Sequence, residues 1–408
     1  MSTTQVSEAG TIKQAAQDYW AKVKTGDIGP LAAILGLVVL CIVFGSMSPV
    51  FLTQGNFANL LTQAAAVIVI AMGLVFVLLI GEIDLSAGYA SGVCSAVLVI
   101  LVTKNDQPWY LALTASIIVG CVLGYLIGIL VARLGIPSFV VTLASFLAFQ
   151  GILLLLAGEG GTIRIEDKTV LAIENSNLSV SASWLFFIVV SAIYFISGLA
   201  RINSRRKAGL KTELKKLWLI KTLALIGASG LAVLTLNLER SNNPDLVSLK
   251  GIPYVVPLIL AILVVGTFVL DRTAFGRHIY AVGGNAEAAR RAGINVKRIR
   301  IACFMICSGL SAIAGLIFAS RQNSVSPTTG GSSTLLYAVG AAVIGGTSLF
   351  GGKGKMRDAI LGGLVVAVID NGMGLLGYAA GIKFIVTGLV LLTSASVDAI
   401  SRRGVANS

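Results

Sequence analysis

Carboxylates, amides and hydroxyls set inside apolar surroundings are the groups in this sequence that could do chemistry. Gly81-Glu82-Ile83-Asp84-Leu85-Ser86 places two carboxylates and a hydroxyl at the junction of two apolar runs. An ionised side chain at bilayer depth costs roughly 2.5 to 3.5 kcal/mol on insertion scales, so such groups face a cavity or a polar partner. Two readings fit. In one, Gly81 and Gly88 break a helix, and Glu82, Asp84 and Ser86 line a polar path or cap the helix that starts at Leu85. In the other, the stretch is a plain cytoplasmic turn with Asp84 as an N-cap. Asp370 and Asn371, next to Gly372, form the strongly polar pair inside the run from Asp358 to Tyr378. They either bond a neighbouring helix, worth about 1 kcal/mol, or touch a solute in transit. Gln63 and Gln150 pose the same choice.

Enzymatic chemistry finds little support. His278 is the only histidine and sits among arginines, a poor setting for acid–base or nucleophilic catalysis. The stretch GGTSLFGGKGK, Gly345 to Lys355, looks like a phosphate cradle. The signature G-x-x-x-x-G-K-[ST], however, needs a Gly five residues before the Gly-Lys pair, where Thr347 and Leu349 stand, and no Ser or Thr follows either Lys. Nucleotide hydrolysis is therefore not expected of this chain, nor is any resident metal or cofactor. Cys41, Cys94, Cys121, Cys303 and Cys307 all fall inside apolar runs. Cys303 and Cys307 share a helix face, but no His or carboxylate joins them in the sequence, so they read as packing residues.

The elements that must position these groups are set by composition. The chain has 408 residues, 56% hydrophobic and 12% charged, with a mean hydropathy of +0.90; a soluble domain does not carry that balance. Apolar runs near the 20 or so residues that a bilayer-spanning helix needs fall at about 31–49, 58–80, 85–103, 109–133, 138–157, 183–200, 217–236, 253–270, 299–320, 334–350, 358–378 and 383–399. Barrel strands would be shorter and alternate in polarity. The reading is an all-α polytopic membrane protein of about 10–12 transmembrane helices.

The formal charge of +13 is distributed in a way that argues against nucleic acid. Arg201, Arg205, Arg206, Lys207, Lys211, Lys215 and Lys216 crowd one connection. Arg272, Arg277, Arg290, Arg291, Lys297 and Arg298 crowd another, Lys353, Lys355 and Arg357 a third, and Arg402 and Arg403 follow the last run. With a cytoplasmic N-terminus, a dozen spans puts every cluster inside, as the positive-inside rule requires. Gly158 to Ser183, with Glu159, Glu166, Asp167 and Glu174 against Arg164 and Lys168, then lies outside. Residues 1–29 are polar and show no removable signal; a short interfacial helix around Ile12 to Val23, with Trp20 at headgroup level, is expected there.

Residues 30–400 read as one integrated membrane domain, followed by a cytoplasmic tail at 401–408. Ile80 to Gly88 is echoed at Ile344 to Gly352, and Ser138-Phe139-Val140-Val141-Thr142 at Lys383-Phe384-Ile385-Val386-Thr387. Two echoes in the same order favour an internal duplication of a transporter core. The number of helices between them differs in the two halves, which leaves room for a re-entrant segment.

AVGGNAEAARRAGINVKRIR, Ala281 to Arg300, lies between two apolar runs. Gly283-Gly284-Asn285 supplies a flexible approach and an N-cap, Ala286 to Ala292 a strong helix former, and Gly293 a stop. A helix of about two turns is marginal alone and needs a surface to pack on. Ala288, Ala289 and Ala292 form a small-residue face, with Arg290 and Arg291 projecting elsewhere. The same segment could also be a basic loop that only fixes topology.

Glu287-Ala288-Ala289, with Gly293 four residues later, resembles the E-A-A-x-x-x-G cytoplasmic loop of ABC importer permeases. Arg272 to Asn285 resembles the form that this loop takes in permeases for ribose, xylose and galactose. Gly81, Ile83, Asp84, Leu85, Ser86 and Gly88 match a G-x-I-D-L-S-x-G segment of that branch, with Glu82 where a second Gly is common; Pro137 to Leu143 matches P-S-F-x-V-T-L, and Ile344 to Gly352 matches I-G-G-T-S-L-x-G-G. The stretch 201–251, with its basic loop and extra apolar span, looks like a branch-specific insertion of the longer xylose type. The resemblance implies a permease subunit, not an enzyme, that works as a homodimer in the bacterial inner membrane with both termini cytoplasmic. Its implied partners are a cytoplasmic ATPase, which uses ATP and Mg, a periplasmic sugar-binding protein, the lipid bilayer and a small sugar. Within a coupling loop at 271–299, Asn285, Glu287, Ala288, Ala289, Arg290 and Gly293 would meet the ATPase. Gly81, Glu82, Asp84, Ser86, Phe139, Thr142, Asp370 and Asn371 would line or gate the path, for a pentose and most readily xylose. Rival readings are an ion-coupled secondary transporter using Glu82, Asp84 and Asp370, a related importer for nucleosides, autoinducer furanoses or branched-chain amino acids, and a structural membrane protein without transport.

Overall fold

A computed structural model describes residues 31–158, 161–209, 215–241 and 243–406. The interfacial helix expected around Ile12 to Val23, with Trp20, lies outside the described residues, as do Glu159, Lys211 and the side chains of Arg402 and Arg403. Along the chain run α1 (Leu31–Met47), α2 (Gln54–Leu79), α3 (Ala87–Thr103), α4 (Trp109–Ala132), α5 (Ser138–Ala157), β1 (Ile163–Arg164), α6 (Lys168–Asn175), α7 (Val180–Lys207) and α8 (Lys215–Leu236). They are followed by α9 (Val255–Arg272), α10 (Ala274–Gly284), α11 (Ala286–Arg291), α12 (Val296–Gln322), β2 (Ser324–Val325), α13 (Ser332–Ile344), α14 (Met356–Leu375) and α15 (Ala380–Ala406). Every apolar run of the sequence is largely helical, the state that satisfies its backbone without water, the run at 334–350 ending its helix at Ile344. Among the described residues eight helices are long and apolar enough to cross a membrane, and α1, α3, α13 and the Ala380–Thr393 part of α15 are shorter apolar helices. This is an all-α, multi-pass membrane protein.

The helices stop where the sequence interrupts them. Pro108 and Pro137 occupy the N-cap positions of α4 and α5, where a missing N–H costs nothing. Thr53 caps α2 by accepting from the Asn56 amide, and Asp167 caps α6 by accepting from Thr169 and Val170.

Two compact units form. Residues 31–176 and Pro253–Ala399 make the first. Its centre is α2, almost wholly buried, with α12 and α4 packed backbone to backbone: a Cβ at Gly120, Gly124 or Gly128 would run into Ser308, Phe304 or Ile301 of α12. Small residues four apart are what let membrane helices approach this closely. At the far end of α12 from its start, β1 pairs antiparallel with β2, Ile163 opposite Val325. The 27 residues of α12 separate that end from the start by about 40 Å, so the acidic stretch around Glu166 and Asp167 is remote from the basic stretch around Arg290 and Lys297.

Asn177–Ile252 and the end of α15 from Ile400 make the described part of the second unit. Here α7 and α8 pack as a hairpin, with Gly198 against the Trp218 ring and Gly230 against Phe187. The helix α7 runs to Lys207, so Arg201, Arg205, Arg206 and Lys207 ride on its last turns rather than in the connection, a cationic end that suits the helix dipole. The return to Ile252 is ordered by Glu239, which accepts from the Arg240, Ser241 and Leu249 amides and the Ser248 hydroxyl. Those donors, the Leu249 amide first, hold its carboxyl down at about 2.

The two sequence echoes fare differently. Gly81 and Gly351 meet, the Gly351 Cα–Cβ direction pointing at Gly81. Ser138 and Thr142, however, contact Ile83 of the first junction, whereas Lys383 pairs with Asp370, more than four helical turns away along α14 from the second.

Candidate translocation and coupling site

The C-terminus of α2 is closed by a pair of bonds, Gly81 N–H to Leu78 and Glu82 N–H to Val77, with Gly81 left-handed at φ 75°. This is a Schellman stop, and it needs a residue without a Cβ penalty at that place. The chain then runs along one face of α12. Glu82 meets Arg300, Oε1 to Nε 3.1 Å, and the Asp84 carboxylate lies beside the Cys307 thiol. Cys307 stands eleven residues into α12, about 16 Å from its start. The segment after Gly81 therefore turns back into the span instead of crossing its surface, and the plain-turn reading fails.

At depth the break is closed by side chains. Asp84 Oδ1 accepts from the Ser86 amide at 2.9 Å and its hydroxyl at 2.6 Å. Ser86, not Asp84, holds the N-cap position of α3, and its side chain makes no cap bond. Thr142 donates to the Ser138 and Ile83 carbonyls, and Ser138 accepts from Ile83 N–H. Both Asp84 and Ser86 are 0% exposed, so neither faces an open passage in this conformation. Phe139 is 54% exposed; of its stretch, Ser138 and Thr142 are the residues that meet the junction. The first turns of α3 press on the chain before α13: a Cβ at Gly88 would strike the Gly330 carbonyl, and one at Gly92 the Thr329 carbonyl. Two short helices thus begin inside the unit with their N-termini together, the half-helix construction of transporter cores.

The second Gly-rich junction, Gly345 to Lys355, folds on itself. Ser348 N–H bonds Lys353, Gly352 N–H bonds Leu79 at 2.8 Å, and Lys355 N–H bonds Asp358 Oδ2 at 2.7 Å. These amides are spent on the chain's own acceptors, which agrees with its failing the phosphate-loop signature.

Both junctions rest on α10. Gly283 is wedged so tightly that a Cβ would overlap the Leu79 carbonyl and come within 2.6 Å of Gly352 N. Tyr280 donates to the Gly354 carbonyl at 2.8 Å. Beyond it α11 forms as expected: Asn285 Oδ1 accepts from Ala288 N–H at 2.9 Å. Gly293 ends the helix at φ 84°, with Gly293 N–H to Arg290 and Ile294 N–H to Ala289. The expected small-residue face is corrected. Ala289 is 4% exposed and packs into its own chain, while Ala288 and Ala292 are exposed with Arg290 and Arg291. Glu287 bridges Arg290 at 2.8 Å and Arg291 at 3.3 Å. His278 is half-buried on α10.

A separate polar cluster lies toward the opposite end. Asn56 and Asn371 exchange amide bonds of 2.9 Å in both directions. Gln63 donates to Asp370 Oδ2 at 2.8 Å, and Lys383 approaches Asp370 Oδ1 at 3.5 Å. Asp370 and Asn371 thus glue α14 to α2 and α15, and Asp370 remains half-exposed. Gln150 is exposed on α5. Beyond this cluster Arg321 donates to Thr62 and Asn59 and lies 4.0 Å from buried Glu174. Burial pushes the Glu174 carboxyl up to about 8 against the pull of Arg321.

Arg300, Arg321 and Lys383 were not singled out in the sequence as site residues. Their signal was available: each is a cation within or at the edge of an apolar run, and each proves to hold a carboxylate. Cys307, a packing residue by its sequence surroundings, lies beside the Asp84 carboxylate, a neighbour too remote along the chain for local spacing to reveal. Among the described residues no group of His, Cys, Asp and Glu could hold a metal.

The family described as "Branched-chain amino acid transport system / permease component" matches residues 56–395. The chain is 37% identical over 355 residues to the xylose transport system permease protein XylH of Escherichia coli K12, covering 86% of this chain and 87% of that protein. It is 32% identical to the XylH of Haemophilus influenzae, covering 94% and 99%, and 27% identical to the ribose import permease protein RbsC of the same organism, covering 90% and 92%. No solved structure matches the chain.

Proposed function

Because the chain belongs to the branched-chain amino acid transport system / permease component family, we propose that it is the membrane subunit of an ATP-driven monosaccharide importer. The substrate we assign is a pentose, xylose in the first place, on the strength of 37% identity to a protein named for xylose transport. In this reading it sits as a homodimer in the bacterial inner membrane with both termini cytoplasmic. A periplasmic binding protein delivers the sugar, and a cytoplasmic ATPase, using ATP and Mg, drives the cycle. This chain holds no cofactor and performs no catalysis.

The observation that carries the reading is the seat of α10 and α11. A rigid short helix, capped at both ends, is joined through Gly283 to Leu79 and Gly352, the ends of the two Gly-rich junctions. In the proposed mechanism Asn285, Glu287, Ala288, Arg290 and Gly293 form the ATPase-facing rod and Ala289 its anchor. Closure of the ATPase pair moves the rod and α10 and shifts both junctions, so that Gly81, Asp84, Ser86 and Thr142 open and close the path. Phe139, Asp370 and Asn371 complete its lining. A neutral sugar asks for hydroxyls and amides rather than an unpaired central charge. Glu82 is paired with Arg300 and Asp370 with Lys383, which weighs against either as the exchanging carboxylate of an ion-coupled carrier, and Asp84 is held by the Ser86 amide and hydroxyl.

The test is uptake of labelled xylose, ribose and galactose by liposomes holding this chain with its ATPase and binding protein. Uptake should require ATP hydrolysis and survive collapse of proton and sodium gradients. Sugar movement by the chain alone, without a nucleotide-hydrolysing partner, would overturn the proposal.

A further inference from the structure

The face of α12 that meets the first junction carries two contacts two helical turns apart, Arg300 to Glu82 and Cys307 to Asp84. Residues seven apart on a helix lie on one face, so the chain from Glu82 to Asp84 is fastened along a single line of α12. The inner contact is fully buried. The outer is an ion pair whose side chains are 12% exposed at Glu82 and 30% at Arg300, dry enough for a charge pair to matter. Arg300 follows α11 by only nine residues, and α11 is bound to the start of α12 through the Ile294 N–H to Ala289 bond and the Asn295 side chain that caps α12 on Arg298 N–H. No residue between Arg291 and Arg300 offers a flexible spacer other than Gly293, whose conformation is fixed by its own bonds. Glu82 stands where the resembling motif commonly has a glycine, so the fastening is a property of this chain's own residues.

From this geometry we infer that Glu82 and Arg300 are positioning residues that clasp the re-entrant segment 82–86 to α12, so that a displacement of α11 moves the start of α3 with it. Breaking the pair releases the segment from the helix that the motor drives, and hydrolysis then continues without transport. The inference rests on the ATP-driven reading above. It adds a specific linkage that the family assignment does not contain.

The experiment compares Glu82→Gln, Arg300→Gln and the reciprocal exchange Glu82→Arg with Arg300→Glu. Each is reconstituted with the ATPase and binding protein, and sugar taken up per ATP hydrolysed is measured alongside the amount of inserted chain. Each single variant is expected to lower sugar per ATP roughly tenfold, because one charge is left part-buried without its partner, while the ATPase rate changes little. The exchange is expected to recover most of the loss, which a merely structural contribution of either side chain would not do. Single variants with wild-type sugar per ATP, or an exchange as uncoupled as the singles, would overturn the clasp. If a single variant fails to insert, the exchange still decides, since recovery of insertion and coupling together requires the pair. Nucleotide-independent uptake by the unaltered chain would instead overturn the importer reading, so the two failures are told apart.

Discussion

At the scale of single residues the membrane interior makes each polar group answerable to a partner. The Asn56–Asn371 pair exchanges two amide bonds, and removal of either side chain leaves the other's amide oxygen without its donor, while its nitrogen keeps Phe51 or Gln63. Asn56→Ala and Asn371→Ala should each lower stability by about 1 kcal/mol, and the double variant should lose clearly less than the sum; additive losses in detergent unfolding curves would show that the pair is not coupled. Glu174 offers a pH prediction. Its carboxyl ordinarily ionises at 4.5 and here at about 8, so between those values the folded chain holds a proton that the unfolded chain has released. Stability from this site is therefore present below about pH 4.5 and declines as pH rises toward about 8. Among the described residues Arg321 is the cation paired with the Glu174 carboxyl, at 4.0 Å, and neither carboxyl oxygen accepts a hydrogen bond, so little offsets the cost. Glu174→Gln should flatten that part of the melting-temperature profile between about pH 5 and about pH 8; an unchanged slope would assign the raised value to nothing of consequence. Charged residues in apolar runs were legible in the sequence. Their partners were not: Glu82 and Arg300 are remote along the chain, as are Asp370 and Gln63.

At the scale of elements, local rules worked where hydrogen bonds are local. The α11 helix was legible from Asn285, its alanines and Gly293 because an N-cap and a Schellman stop are made by residues within a few positions of one another. Its inward and outward faces were not legible, since they depend on what packs beneath, and Ala289 turned inward while Ala288 and Ala292 stayed out. Glu287→Lys removes only exposed ion pairs, which are worth little to stability, whereas Gly293→Pro cannot adopt the left-handed φ of 84°. Both should leave the protein inserted and sever ATP hydrolysis from uptake, the second more completely; normal sugar uptake by either in vesicles would remove the coupling role from α11. The 80–88 junction shows the opposite case. Its polar residues suit both a surface turn and a broken helix, and only the placement of Glu82 against Arg300 and of Asp84 against Cys307 chose the broken helix.

At the scale of the whole molecule the first unit carries its basic α10–α12 end and its acidic β1–α6 end on opposite sides of the membrane-spanning helices. Single cysteines at Arg290 and at Glu166, both exposed, in a chain whose own cysteines are replaced, should therefore react with an impermeant thiol reagent from opposite faces of the membrane, Arg290→Cys from the cytoplasm. Labelling of both from one face would break the assigned topology. The sequence by itself determined that this chain is built of apolar helices suited to a bilayer, about where each lies, and which short segment between them is a capped helix, because length, hydropathy and capping are properties of contiguous residues. The tertiary structure alone decided that two of the shorter apolar helices start together inside the unit, that Gly283 joins both Gly-rich junctions, and which carboxylate each half-buried cation holds. Those outcomes depend on how closely backbones approach and on pairing across long separations in the chain, and neither is encoded in any local pattern.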